Sequence, residues 1–180
     1  CVNCPTCAIM NGFGGAGAFS DGKYNITNQF GGTLHEYIGK KAALELMYYV
    51  DEINTANGGG DTKLYTTANT DIKKLCLQNK LHLLDASVRH LGTDKNYVVL
   101  ENLYQQLKTK VDFFFNTRVD KVEKLSDGFA VYSKAGDHTC KYCVISVGRS
   151  GSKWMESVCK DLAIPTKSNR VDIGVRVELP

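Results

Sequence analysis

The sequence predicts an α/β or α+β fold, and three features of its patterning carry that expectation. Apolar residues recur at helical spacing over two long stretches, 39–57 and 94–108, as they do on one buried helix face. From Val111 the period falls to two and stays there to Lys134, the mark of half-buried strands and hairpins. An apolar run, Cys143-Val-Ile-Ser-Val147, then leads into Gly148-Arg-Ser-Gly151 and a further helical pattern. A strand, a glycine turn and a helix in that order is where α/β sheets place their ligands.

A chain of 180 residues is one large domain or two small intertwined ones. About 70% of its unfolded surface can be buried at this size, so neither disulfides nor metals are needed for a core. The net charge of +3 is small and the lysines are spread along the chain, which argues against a nucleic-acid partner. No apolar run approaches the roughly 20 residues that span a bilayer, and no signal-peptide pattern opens the chain. A cytoplasmic protein without a membrane partner is expected. The chain starts at Cys1 and stops at Pro180 directly after an alternating pattern, so it reads as cut from something longer.

In chain order, the first feature is Gly12-Phe-Gly-Gly-Ala-Gly-Ala-Phe-Ser-Asp-Gly-Lys23. Gly12, Gly14 and Gly17 spell G-x-G-x-x-G, which marks a dinucleotide only between a strand and a helix. Cys7-Ala-Ile-Met10 could be the strand, but Ser20, Asp21, Gly22 and the β-prone Tyr24-Asn-Ile-Thr27 follow, so no helix is expected. The stretch predicts a flat, glycine-lined loop that a ligand or another backbone approaches closely. Gly39 to Asn57 predicts a helix with Ala43, Leu46, Met47, Val50 and Ile53 inward, stopped by Asn57-Gly-Gly-Gly60. A short strand over 63–67 follows, then a helix capped by Thr70 with Ile72, Leu75 and Cys76 inward. Leu81 to Val88 reads as extended. Thr93 is placed to cap the helix over 94–108, and Asp94 suits its positive end. Its predicted inner face is Tyr97, Leu100, Leu103, Tyr104 and Leu107. Val111, Phe113 and Phe115 alternate, Val119 to Leu125 continues the strand pattern, and Asp127-Gly128 marks a hairpin. After a turn at Ala135-Gly136-Asp137 the apolar run suits a buried parallel strand. Ser152 to Ala163 predicts a helix with Trp154, Met155, Val158 and Leu162 inward, and Val171 to Leu179 a half-buried strand.

Seven cysteines are an odd count, which argues against a closed disulfide framework; reduced thiols in the cytosol fit better. Cys76 and Cys159 sit at apolar helix positions, as core residues do. Cys1, Cys4 and Cys7 have the spacing of ligands to a metal or an iron–sulfur cluster, but three are not four. Cys140 and Cys143 would clamp an ion poorly on an extended segment, since a strand points i and i+3 to opposite faces. No Ser–His–Asp set or carboxylate pair stands out, so no catalytic residue is assigned. Asp21 is either a proton relay or a turn-capping carboxylate.

Four stretches together resemble a known family. They are G-x-G-G-A-G-x-F-S-D-G-K at Gly12 to Lys23, R-x-L-G-T-D at Arg89 to Asp94, V-x-x-V-G-R-S-G at Val144 to Gly151, and D-I-G-V-R-V-E at Asp172 to Glu178. Their order and spacing are similar to those of bacterial FAD-dependent dehydrogenases of the two-dinucleotide-binding-domain type, over nearly the whole chain. In that family the true strand–G-x-G-x-x-G–helix fingerprint lies upstream of these motifs. The resemblance therefore implies an internal piece of a flavoprotein: a partial FAD-binding, Rossmann-like domain with an antiparallel β-meander and an inserted helical, substrate-side segment. Residues 1–92 would be the glycine loop and helical segment, 93–170 the partial FAD domain, and 171–180 the start of a further substrate-domain strand. Gly14, Gly15, Ala16, Gly17, Ser20, Asp21, Gly22 and Lys23 would lie against the pyrophosphate or flavin. Val119 would reach the adenosine side through its backbone, and Gly148, Arg149, Ser150 and Gly151 would also flank FAD. Arg89, Thr93 and Asp94 are the substrate-side candidates. FAD is expected in the full-length parent, and weakly or not at all in these 180 residues. Two other readings stay open: a metal or iron–sulfur module on Cys1, Cys4 and Cys7, and a binding domain whose glycine loops are only turns.

Overall fold

The structure is a computed structural model that describes residues 11–18, 20–168, 173 and 178. The described residues form helices and two three-stranded sheets, both antiparallel throughout, so the mixed class expected from the two periodicities holds. The chain divides into two compact units, Cys1–Phe113 and Phe114–Pro180. Among the described residues no helix is long and apolar enough to cross a membrane. The expected strand over 7–10, the cysteine triplet, and the terminal strand apart from Ile173 and Glu178 lie outside the described residues.

In the first unit, strands β1 (Lys23–Ile26), β2 (Leu64–Thr66) and β3 (Ser87–His90) pair in the order β1-β3-β2. Short helix α1 (Leu34–Ile38) leads to α2 (Lys40–Asn54), which winds into a π-turn at Thr55–Gly59. There the run of three glycines stops it as expected. Two side chains of α4 (Gly92–Leu107) hold this turn: Asn102 Nδ2 donates to the Asn57 carbonyl and Gln106 Nε2 to Asn57 Oδ1, each at 2.8 Å. Helix α3 (Thr70–Gln78) is capped by Asn69, whose Oδ1 accepts from the amides of Asp71 and Ile72; Thr70, the expected cap, is the first helical residue. Thr93 is likewise not a cap. Strand β3 runs through His90, so α4 opens at Gly92 behind Leu91, with no side-chain cap. Asp94 stands in the first turn, where a carboxylate meets the positive helix end.

The buried helix faces differ from the apolar stripes. On α2 the buried residues are Ala43, Asp51 and Asn54, while Leu46 and Val50 are exposed. On α4 they are Asn96 and Val99, both at 0% exposure, while Tyr97 is 65% exposed. Polar partners inside the unit turn both helices. Arg89 lies on the inner face of β3, and a buried charge needs a counter-charge, so Asp51 faces inward. Phe13, Tyr104 and Phe113 pack as a triangle of edge-to-face rings with centroids 5.4 to 5.8 Å apart, a favoured aromatic geometry.

The second unit is the expected meander of β4 (Val119–Leu125), β5 (Gly128–Ser133) and β6 (Gly136–Cys140), followed by α5 (Ser152–Asp161). Val122, Ala130, Val158 and Cys159 form its buried core, and Trp154 Nε1 donates to the Asp120 carbonyl at 3.3 Å. Two expected strands are absent. The strand pattern from Val111 becomes a strand only at Val119, after a turn in which Thr117 Oγ1 donates to the Phe115 carbonyl. Cys143 to Val147 is irregular, and Val144 is 90% exposed. No neighbouring strand pairs with it among the described residues, and an unpaired apolar run has no ladder to hold it extended.

Candidate functional site

The expected site residues divide between the units. In the first, the glycine loop is turned rather than flat: Gly15–Gly17 forms a 3₁₀ turn, with Gly15 N bonded to the Gly12 carbonyl and Ala18 N to that of Gly15. Gly14 has no space for a side chain, since a Cβ there would lie 2.8 Å from Leu100 Cδ1 and 2.7 Å from Ala18 Cβ. The loop therefore rests on α4. Asn96 fastens it, donating from Nδ2 to the Gly17 carbonyl and accepting the Tyr24 hydroxyl at Oδ1, both at 2.6 Å. Burial pushes the Tyr24 hydroxyl up from its ordinary value, so it keeps the proton it donates. Around Gly15 and Gly17 a Cβ would meet nothing within 4 Å, so their backbone faces open space.

The Ser20-Asp21-Gly22-Lys23 end is clamped to a distant motif. Ser20 Oγ accepts from the Gly22 amide at 3.1 Å. The Gly22 and Asp21 carbonyls accept from the amides of Leu91 and Gly92, at 2.9 and 3.1 Å. Gly22 has φ of +67°, and a Cβ on it would lie 3.0 Å from both the Gly92 carbonyl oxygen and Leu91 Cβ. Only glycine suits that position. The ladder then pairs Lys23 with His90 and Tyr24 with Arg89. At the exposed edge Lys23 Nζ lies 2.7 Å from Asp21 Oδ2. The hydrogen bond from Lys23, helped by its charge and by His90, holds the Asp21 carboxyl below the usual carboxylate range.

Arg89 is buried. Its Nε and Nη2 bond the two oxygens of Asp51 at 2.5 and 2.8 Å, and Nη1 donates to the Thr62 carbonyl. The bond with Asp51 raises the Arg89 pKa further above its ordinary value. Its donors thus serve the fold of the first unit, whereas Thr93 and Asp94 are exposed beside it on the first turn of α4.

In the second unit Val119 opens β4 at a register shift, a bulge between Val119 and Lys121. Gly148, with φ of +63°, turns the chain toward α5, and Ser152 N donates to the Arg149 carbonyl at 3.2 Å. Gly151 must lack a side chain, because a Cβ would lie 2.4 Å from Val147 Cβ. Gly148 and Ser152 line an open concavity of about 560 Å³ with Val147, Met155 and Cys159. Arg149 and Ser150 are exposed at the turn. Among the described residues no group of three or more His, Cys, Asp or Glu side chains could hold a metal; Cys1, Cys4 and Cys7 lie outside them.

No protein-family model, curated protein or solved structure matches the chain. The sequence reading missed Tyr24, Asp51 and Asn96, which build the first unit's site. Asn96 could have been found from its helical offset to Val99 and Leu103, which places an amide on a buried stripe.

The Asp21–Lys23 pair gives a pH signature. A folded-state pKa below the unfolded value means a contribution present above the unfolded pKa, about 3.9, and lost as pH falls through the folded one. In an NMR titration the Asp21 carboxyl is expected to have its midpoint below that of a free aspartate, and Lys23→Met should move it upward. An unchanged midpoint would mean the pair does not form in solution.

Proposed function

We propose that this chain is an internal piece of a FAD-dependent oxidoreductase, holding a glycine-rich cofactor-side loop and part of a Rossmann-like FAD-binding domain. The reading rests on the ordered motifs. The observation that supports it most is that two of them, S-D-G-K and R-x-L-G-T-D, meet backbone to backbone at Asp21-Gly22 and Leu91-Gly92. Motifs serving one site have reason to be clamped together; two unrelated turns do not.

The residues fit a flavin nucleotide. The open backbone at Gly15 and Gly17 admits a phosphate or ring edge. A cation such as Lys23 or Arg149 would stabilise negative charge on the reduced ring, the usual protein lever on such a cofactor. When bound, FAD supplies the hydride or electron transfer. The protein's share is to orient the cofactor, through a loop kept rigid by Asn96 and Gly22. Val119 and Gly148 to Gly151 belong to the same reading, as does a cytoplasmic setting.

The test is made on the full-length protein. It should purify with a flavin absorption spectrum or gain one on adding FAD, and Lys23→Met with Arg149→Met should lower flavin occupancy. A preparation that stays colourless with added FAD would overturn the proposal. The 180 residues alone should bind FAD weakly or not at all in a titration.

A further inference from the structure

Leu46 and Val50, the apolar residues of α2 that the core leaves exposed, line a cavity. Met47, Val50 and Asn54 recur at helical spacing, so they share one face of α2. With Leu46, and with the buried Ile26 of β1, they wall an open space of about 220 Å³ inside the first unit. Asn54 is the odd member of that wall. It is only 5% exposed, and its buried Nδ2 has no hydrogen-bond partner among the described residues. A buried donor left unpaired is costly, whereas an apolar side chain of the same shape would cost little or nothing. Asp51 also lines the cavity, but Arg89 takes both its oxygens. Among the described residues the lining therefore offers no free charge.

These features define what fits. An apolar cavity of about 150 Å³ holds benzene, so this one has room for roughly nine non-hydrogen atoms. Its apolar wall favours a neutral, hydrocarbon-like body. The amide of an asparagine turns easily about its terminal torsion, which lets Nδ2 face the cavity and donate to an acceptor oxygen. A carbonyl suits that donor better than a hydroxyl, whose own O–H would be stranded among apolar side chains. We propose that the cavity between β1 and α2 is a binding site for a small, neutral, apolar carbonyl compound, held by a hydrogen bond from Asn54. The site is separate from both glycine turns and does not depend on the flavin reading.

The experiment titrates the purified, isotope-labelled chain by NMR with two probes of similar size and shape, acetophenone and isopropylbenzene. Acetophenone should move the Asn54 side-chain amide signals and the backbone amides of Met47 and Val50. Affinities are then compared with those of Asn54→Leu, which keeps the bulk and removes the donor. Relative to isopropylbenzene, acetophenone should bind the variant roughly tenfold more weakly than it binds the parent, the size of one lost hydrogen bond. The inference fails if acetophenone leaves those signals unmoved, or if Asn54→Leu changes the affinity for both probes by the same factor. Should the variant not fold, the parent decides alone: its Asn54 amide protons must move downfield with acetophenone and not with isopropylbenzene.

Discussion

Replacing Arg89 with Met is expected to destabilise the first unit by about 3–5 kcal/mol, the usual result of removing one partner from a buried ion pair. The side chains of Arg89 and Asp51 are only 11% and 8% exposed. Loss of the guanidinium would leave the Asp51 carboxylate without a counter-charge and the Thr62 carbonyl without its donor. The cost is mainly the stranded charge, not the lost attraction, so a second variant separates the two. Arg89→Met combined with Asp51→Leu should recover most of the stability, because apolar replacement of a whole buried pair is often neutral. Urea unfolding curves of the single and double variants measure this. A single variant within about 0.5 kcal/mol of the parent would show that the pair is solvated and that Arg89 does not hold β3 to α2.

The second large effect is expected at Asn96. Asn96→Ala removes the acceptor of the Tyr24 hydroxyl and the donor to Gly17 at once. An orphaned buried group costs about 1–3 kcal/mol. Here the Tyr24 hydroxyl bears most of it, because Gly17 is exposed and its carbonyl can turn to water. The glycine loop should loosen more than the unit as a whole. Amide exchange at Ala18 and Ser20, whose N–H groups close the loop's turns, should quicken more than at β3. Tyr24→Phe keeps the Asn96 donor to Gly17 and removes only the hydroxyl, so it should cost stability while leaving the loop held. Equal changes in loop and strand exchange for Asn96→Ala would mean that the loop is not separately held.

Much of the secondary structure was legible because it depends on neighbours in the chain. The hairpin at Asp127-Gly128, the glycine stop after α2 and the helix over Ser152–Asp161 follow from local periodicity and from residues that tolerate positive φ. Helix rotation was less legible. The apolar stripes of α2 and α4 pointed to Leu46, Val50 and Tyr97, yet Asp51, Asn54 and Asn96 are the residues turned inward. Hydrophobic spacing registers only how apolar each position is. It does not register that a buried arginine elsewhere needs a carboxylate, or that a loop carbonyl needs an amide. The caps were missed by one or two residues for a related reason. Asn69 and Thr70 are both capping types, and only the point at which the backbone enters the helix chooses between them.

The sequence by itself determined the mixed α and β class, the meander, the glycine positions that demand positive φ, and the motifs from which a flavoprotein reading is drawn. Tertiary structure alone decided that S-D-G-K would be clamped to Leu91-Gly92 and that Arg89 would be buried on Asp51. It also decided that Val144 to Val147 would not form a strand. Local pattern reports what a segment is able to form. Partners distant in sequence supply the hydrogen bonds and counter-charges that make one of those forms the lowest in free energy.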